Sequence, residues 1–219
     1  MKRKITDVRK ILVVTLSNLG DAVLTLPVVQ SLLEAYPDCT MDVMAGSPGA
    51  SEIFSGDARI CRVLLYDKKA SLSRKWAQLL EIRGGRYDLI LDLRRSLFGL
   101  LGGARYRNTY FSLLPGNRFH RVLRHLYVLK NIIPFHHTKS FLWERNAPES
   151  AHLFSFLRQA EEKSQGVVLA AVGSKSDLKK WPPLSYAALL DRLALEQNCR
   201  IVLIGDKMMR SMPKKWSVR

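Results

Sequence analysis

Apolar residues change their spacing along the opening stretch of the chain. Ile11–Leu16 is an apolar, β-branched run, the pattern of a strand buried on both faces of a parallel sheet. Over Asp21–Tyr36 the apolar positions fall at helical spacing until Pro37 ends them. The alternation then repeats. Strands are predicted over Thr40–Ala45, Arg62–Tyr66 and Asp88–Leu93, with a fifth over Arg107–Phe111. Helical spacing marks Ala50–Phe54, Leu72–Ile82, Leu97–Leu101 and Phe119–Lys130. Strands alternating with helices predict an α/β fold with a doubly wound sheet.

The period fades from Ile132 to about Pro148, and the domain connection is placed there. Residues 1–148 form the first expected domain and 149–219 the second. The second reads as a helix over Glu149–Lys163, a strand over Val167–Val172, an amphipathic helix over Leu184–Gln197 and a strand over Arg200–Ile204. That is little for an independent sheet, because a domain usually needs about 100 residues. The pattern stops after Gly205, and the chain reads as cut short.

Charge narrows the classes of partner. The 219 residues carry 35 Lys and Arg against 19 Asp and Glu, a net charge of +16. Such an excess implies an anionic partner: nucleic acid, a membrane surface or a phosphorylated substrate. Helix-turn-helix, zinc-finger and RNA-recognition patterns are absent, which argues against nucleic acid. Cys39, Cys61 and Cys199 lie far apart without metal-ligand spacing and read as reduced thiols of a cytosolic protein. His136-His137 lacks a carboxylate or thiol partner and does not indicate a metal. No apolar run approaches the roughly 18 residues of a membrane span. The reading is a cytoplasmic chain whose membrane association is peripheral.

Three features carry candidate chemistry. "SNLGD", Ser17–Asp21, follows the first strand, and ligands of open α/β sheets bind at the carboxyl ends of strands. Gly20 permits close approach. Asp21 reads either as an acid charging the first helical turn or as a base that takes a proton from a hydroxyl. Next comes "GSKSDLKKWPP", Gly173–Pro183, which places Ser174, Lys175, Lys179 and Lys180 before a helix N-terminus, a ready anion site. The other reading is a solvated loop anchored by Trp181. Finally, Leu93 to Trp143 contains no acid at all. It holds Arg94, Arg95, Arg105, Arg107, Arg118, Arg121 and Arg124, and Arg121, Arg124 and His125 share one helix face. Ordinary surfaces mix signs, so the span suits phosphates or anionic headgroups.

Taken together, "KILVVTLSNLGDAVLTLPVVQSLLEAYPDCTMDVMAG", "YDLILDLRRSLFG" and "LKKWPPLSYAALLDRL" followed by "RIVLIGD" resemble the ADP-heptose:lipopolysaccharide heptosyltransferases, glycosyltransferase family 9. The resemblance runs from Lys10 to about Asp206. It implies a GT-B-like architecture of two Rossmann-like domains, here with the second incomplete. It implies transfer of heptose from ADP-heptose to the lipid A–Kdo inner core, with inversion and no metal or other cofactor. Asp21 would be the general base, and Ser17, Asn18 and Gly20 would shape the acceptor side. Lys179, with Ser174 and Lys180, would hold the donor phosphates. Arg94, Arg95, Arg118, Arg121 and Arg124 would meet the anionic acceptor or the inner-membrane surface. The family's downstream acidic-Ser/Thr-Gly-x-x-His stretch is missing, and two such domains need about 300 residues. The alternative is therefore a non-catalytic chain that binds the glycolipid acceptor only.

Overall fold

The computed structural model describes residues 5–108, 120–133, 155–159, 166–173, 178 and 180–205. The chain divides into two compact units, Met1–Asn146 and Ala147–Arg219.

In the first unit, five strands form one sheet: β1 (Lys10–Val14), β2 (Thr40–Ala45), β3 (Ile60–Leu65), β4 (Leu89–Asp92) and β5 (Tyr106–Arg107). All pairings are parallel, in the order β3-β2-β1-β4-β5. β1 is central: Val13 pairs with Val43 on one side and with Leu91 on the other. Alternate residues of a strand point to opposite faces, so β1 feeds two cores. Ile11 and Val13 pack with Val28, Leu32, Phe54, Leu126 and Leu129. Leu12 and Val14 pack with Met44, Leu79, Ile82, Ile90 and Phe98. Helices therefore cover both faces. On the first lie α1 (Leu19–Val23), α2 (Leu26–Ala35), α3 (Pro48–Ser55) and α6 (Arg121–Tyr127), which runs on as a 3-10 turn, Val128–Asn131. On the second lie α4 (Leu72–Gly84) and α5 (Leu97–Leu101).

The single helix expected over Asp21–Tyr36 is two. Pro27 has no N–H to offer the carbonyl of Val23, so the ladder fails there. The buried Thr25 closes the break by donating its hydroxyl to the carbonyl of Ala22 at 2.6 Å. The helix expected from Phe119 begins at Arg121, with His120 Nδ1 accepting from the Val122 amide. Strand β5 starts one residue earlier than expected, and the rest of the expected Arg107–Phe111 stretch runs past the described residues.

One polar contact holds the second core. Asp42 of β2 is fully buried. Its Oδ2 accepts from the hydroxyl of Tyr87 at 2.5 Å and from Arg62 Nη2 at 2.8 Å. Burial, together with the hydrogen bond to Asp42, pushes the Tyr87 hydroxyl well above its ordinary value. The contact ties β2 and β3 to the turn that enters β4.

The second unit holds β6 (Val167–Ala171) and β7 (Arg200–Ile204), paired in parallel with Leu169 opposite Val202, and α7 (Pro183–Glu196) crossing between them. Residues 155–159 are helical, and the remainder of the expected Glu149–Lys163 helix lies outside the described residues.

Replacing Tyr87 by Phe removes one donor from a buried carboxylate. Urea denaturation should show a loss of about 1–3 kcal/mol with the fold unchanged.

Candidate active site at the reversal of strand order

The chain builds β1, β2 and β3 outward in one direction, then returns to lay β4 on the other side of β1. From β1 it proceeds to α1 on the first face, and from β4 to α5 on the second. The loops leaving two adjacent strands diverge, and a crevice opens at their carboxyl ends. A cavity of about 300 Å³ lies there, lined by Leu16 and Asp21 after β1, Asp92 at the end of β4 and Arg95 after it, Asn108 after β5, and Arg121, Arg124 and His125 of α6.

The β1 loop is pinned before it reaches the cavity. The amide of Thr15 donates to the carbonyl of Met44 at 2.9 Å, and its hydroxyl donates to the same oxygen at 3.1 Å. Ser17 then passes close over Gly46, where an added Cβ would sit 2.8 Å from the Ser17 Cα. Gly46 is thus a glycine because the loop leaves no room. Asn18 starts α1, its carbonyl accepting from the Ala22 amide, while its side chain donates to Asp21 Oδ2 at 3.1 Å. The other oxygen of Asp21 accepts from Arg121 Nη1 at 2.7 Å. The acid is 24% exposed in this ion pair and the arginine 67%, so a solute entering the cavity can compete for either partner.

The β4 loop is organised by Asp92. Asn108 brackets its backbone, accepting from the Asp92 amide at 2.7 Å and donating to the Asp92 carbonyl at 3.0 Å. The Asp92 carboxylate accepts from the amides of Arg94 and Ser96 and from the Ser96 hydroxyl, all at 2.7–3.0 Å, and from the Gly99 amide at 3.3 Å. It thereby satisfies the N–H of the cap residue Ser96 and that of Gly99 in the first turn of α5. Gly99 permits this closeness, since a Cβ there would lie 2.6 Å from that of Asp92. Between these amides Arg95 takes a left-handed backbone, φ 57°, and lines the cavity.

Arg95, Arg121 and Arg124 thus line a space that also holds Asp21. His125 completes the wall. Its Nε2 is sealed from solvent and finds no hydrogen-bond partner among the described residues. Burial holds its pKa below the ordinary 6.5; the Asp21 charge opposes this, and the Arg124 and Arg121 charges reinforce it.

The structure gathers some of the candidate residues and not others. Asp21, Arg95, Arg121 and Arg124 share the cavity, and Asn18 orients Asp21. Ser17 supports the loop against Gly46 and is not among the lining residues. Gly20 is exposed, and a Cβ on it would meet nothing within 4 Å. The guanidinium of Arg94 stacks on the Tyr66 ring, 4.3 Å from its centroid, beside the second core. Lys180 is exposed in the second unit, next to Trp181, which packs edge-on against Tyr186. Ser174, Lys179 and Arg118 lie outside the described residues. Asp92 and Asn108 escaped the sequence reading. The available signal was an acid ending an apolar strand, with serine four and glycine seven positions later.

Solved structures share this fold. A glycosyl transferase family 9 structure from Veillonella parvula DSM 2008 superposes with a TM-score of 0.72 at 17% identity, covering 96% of this chain and 67% of that one. The E. coli heptosyltransferase WaaC with ADP gives 0.62 at 17% identity, covering 95% and 71%. WaaC with ADP-2-deoxy-2-fluoro heptose gives 0.61 at 19% identity, covering 95% and 73%.

The fold is that of the heptosyltransferases.

At these identities the likeness speaks for the fold. No family model and no curated protein matches the chain. The Rossmann-like first unit and the smaller second sheet are as the sequence resemblance implied, and no described helix is long and apolar enough to cross a membrane.

His125 gives the site a pH signature. Its folded value lies below its unfolded one, so as pH falls below about 6.5 the unfolded chain takes up the proton first and stability declines. Denaturation midpoints measured from about pH 8 down to about pH 5 should fall for the natural chain and fall less for His125→Gln.

Proposed function

We propose that the chain is a glycosyltransferase that moves heptose from ADP-heptose to the anionic lipid A–Kdo acceptor of the lipopolysaccharide inner core. The observation that carries this reading is the placement of Asp21: an ion-paired acid at the carboxyl end of the central strand, in a cavity lined by three arginines. A phosphorylated acceptor matches those guanidinium groups, which bind phosphate in a planar, two-pronged fashion. Its charge competes with Asp21 for Arg121. The released carboxylate then takes the proton of the attacking hydroxyl while the acceptor oxygen bonds to the anomeric carbon from the face opposite the leaving group. ADP departs with the electrons of the broken bond, and the sugar is inverted. Neither a metal nor another cofactor is required by this route. The second unit takes the donor, with Ser174, Lys179 and Lys180 at its phosphates, where cations offset charge on the leaving diphosphate.

Gly20 lies in the same turn as Asp21, and its open surroundings leave space for the acceptor sugar. The protein works at the cytoplasmic surface of the inner membrane, where its acceptor is held.

The test is transfer from ADP-heptose to a lipid A–Kdo acceptor. Asp21→Ala should lower the rate about a hundred- to ten-thousand-fold with circular dichroism unchanged. Full activity in that variant would remove Asp21 as the base. Acceptor binding without any calorimetric signal for ADP-heptose would instead favour the acceptor-only alternative.

A further inference from the structure

Helix α4 presents an apolar stripe that the core does not use. Leu79 and Ile82 face the second core, whereas Leu72, Trp76 and Leu80, spaced four apart on one outward face, are 84%, 61% and 52% exposed. α5 packs against α4 on the same side of the sheet and adds exposed Leu97, Leu100 and Leu101. Arg83 joins the two helices, its Nη1 donating to the carbonyl of Leu101 at 3.4 Å. Six large apolar side chains thus share one helical layer, more than scattered surface residues account for.

The rim of this layer is basic. Lys68, Lys69 and Arg74 at the start of α4, Arg83 near its end, and Arg107, which donates to the carbonyl of Leu100 at 2.9 Å, are all exposed. Asp67 and Glu81 are the exposed acids of the same segments. A second copy of the chain laid on this face would bring like charge against like charge. A flat, anionic, partly apolar surface meets both features: tryptophan and leucine enter the headgroup boundary while lysine and arginine pair with lipid phosphates. The most exposed of these six residues, Leu72 and Leu97, each open a helix that follows a strand, so both stand at the carboxyl end of the sheet. Leu97 is two residues beyond Arg95 of the cavity.

We infer that the outer face of α4 and α5 docks the chain on an anionic lipid bilayer, with the Asp21 cavity at the docked edge. This deepens the proposed function by naming the surface that brings the cavity to a lipid-borne acceptor, and it rests on that reading. The test is co-sedimentation of the full chain with vesicles of phosphatidylcholine alone and with added phosphatidylglycerol. The chain should sediment with the anionic vesicles only, and salt should weaken the binding. The triple variant Leu72→Ser, Trp76→Ser, Leu80→Ser should bind the same vesicles at least about tenfold less, with unchanged circular dichroism and unchanged transfer to a delipidated, water-soluble acceptor. Undiminished vesicle binding by the variant would overturn the proposal. So would self-association in the ultracentrifuge that the variant abolishes, or capture of an acidic protein with no affinity for lipid. Vesicle binding that the variant loses, in a chain that shows no transfer at all, would support the docking face while rejecting the proposed reaction.

Discussion

Strands β1 and β4 lie side by side, yet the chain leaves them toward opposite faces of the sheet. That divergence makes the crevice, and every described feature of the candidate site follows from how its two lips are held. On the β1 side Thr15 anchors the loop to β2, and Gly46 lets Ser17 lie flat. On the β4 side a single buried carboxylate, Asp92, gathers the amides of the turn and the first turn of α5. α6 then closes the crevice from above, and its first residue, Arg121, reaches a side chain a hundred positions earlier in sequence. The sheet and its pinned loops bring an acid and three arginines to one cavity.

The charge of the chain acquires a spatial meaning from this arrangement. Part of the acid-free span from Leu93 to Trp143, namely Arg95, Arg121 and Arg124, lines the cavity. Another part, Arg107, stays at the surface beside the exposed leucines of α5, donating to the carbonyl of Leu100. Arg94 does neither, being spent on the face of Tyr66. One compositional bias thus supplies arginines both to the cavity wall and to the protein surface.

Strands β1 and β4 were legible in the sequence because their continuous apolar runs are buried on both faces. The doubly wound α/β class of the sheet follows from the alternation of elements, and the position of Asp21 from its place after the first strand. Other features depend on contacts between distant residues and leave no local mark. The break at Thr25 comes from the missing N–H of Pro27, two residues on. Asp92 reads as one more polar residue at a strand end until Ser96 and Gly99 fold back on it. Asn108 matters because its amide continues the sheet beside β4 with a side chain in place of backbone. Arg94 and Arg95 are adjacent and chemically identical, and only the left-handed backbone at Arg95 sends one to the cavity and the other to a ring.

At the centre of this account, the acid and the arginines form one site in which an anionic acceptor and Asp21 compete for Arg121. Calorimetric titration of a phosphorylated lipid A–Kdo acceptor into the natural chain, Asp21→Asn and Arg121→Gln tests it directly. The account predicts opposite signs: tighter binding when Asp21 loses its charge, weaker binding when Arg121 does. Equal losses in both variants, or no change in either, would contradict it.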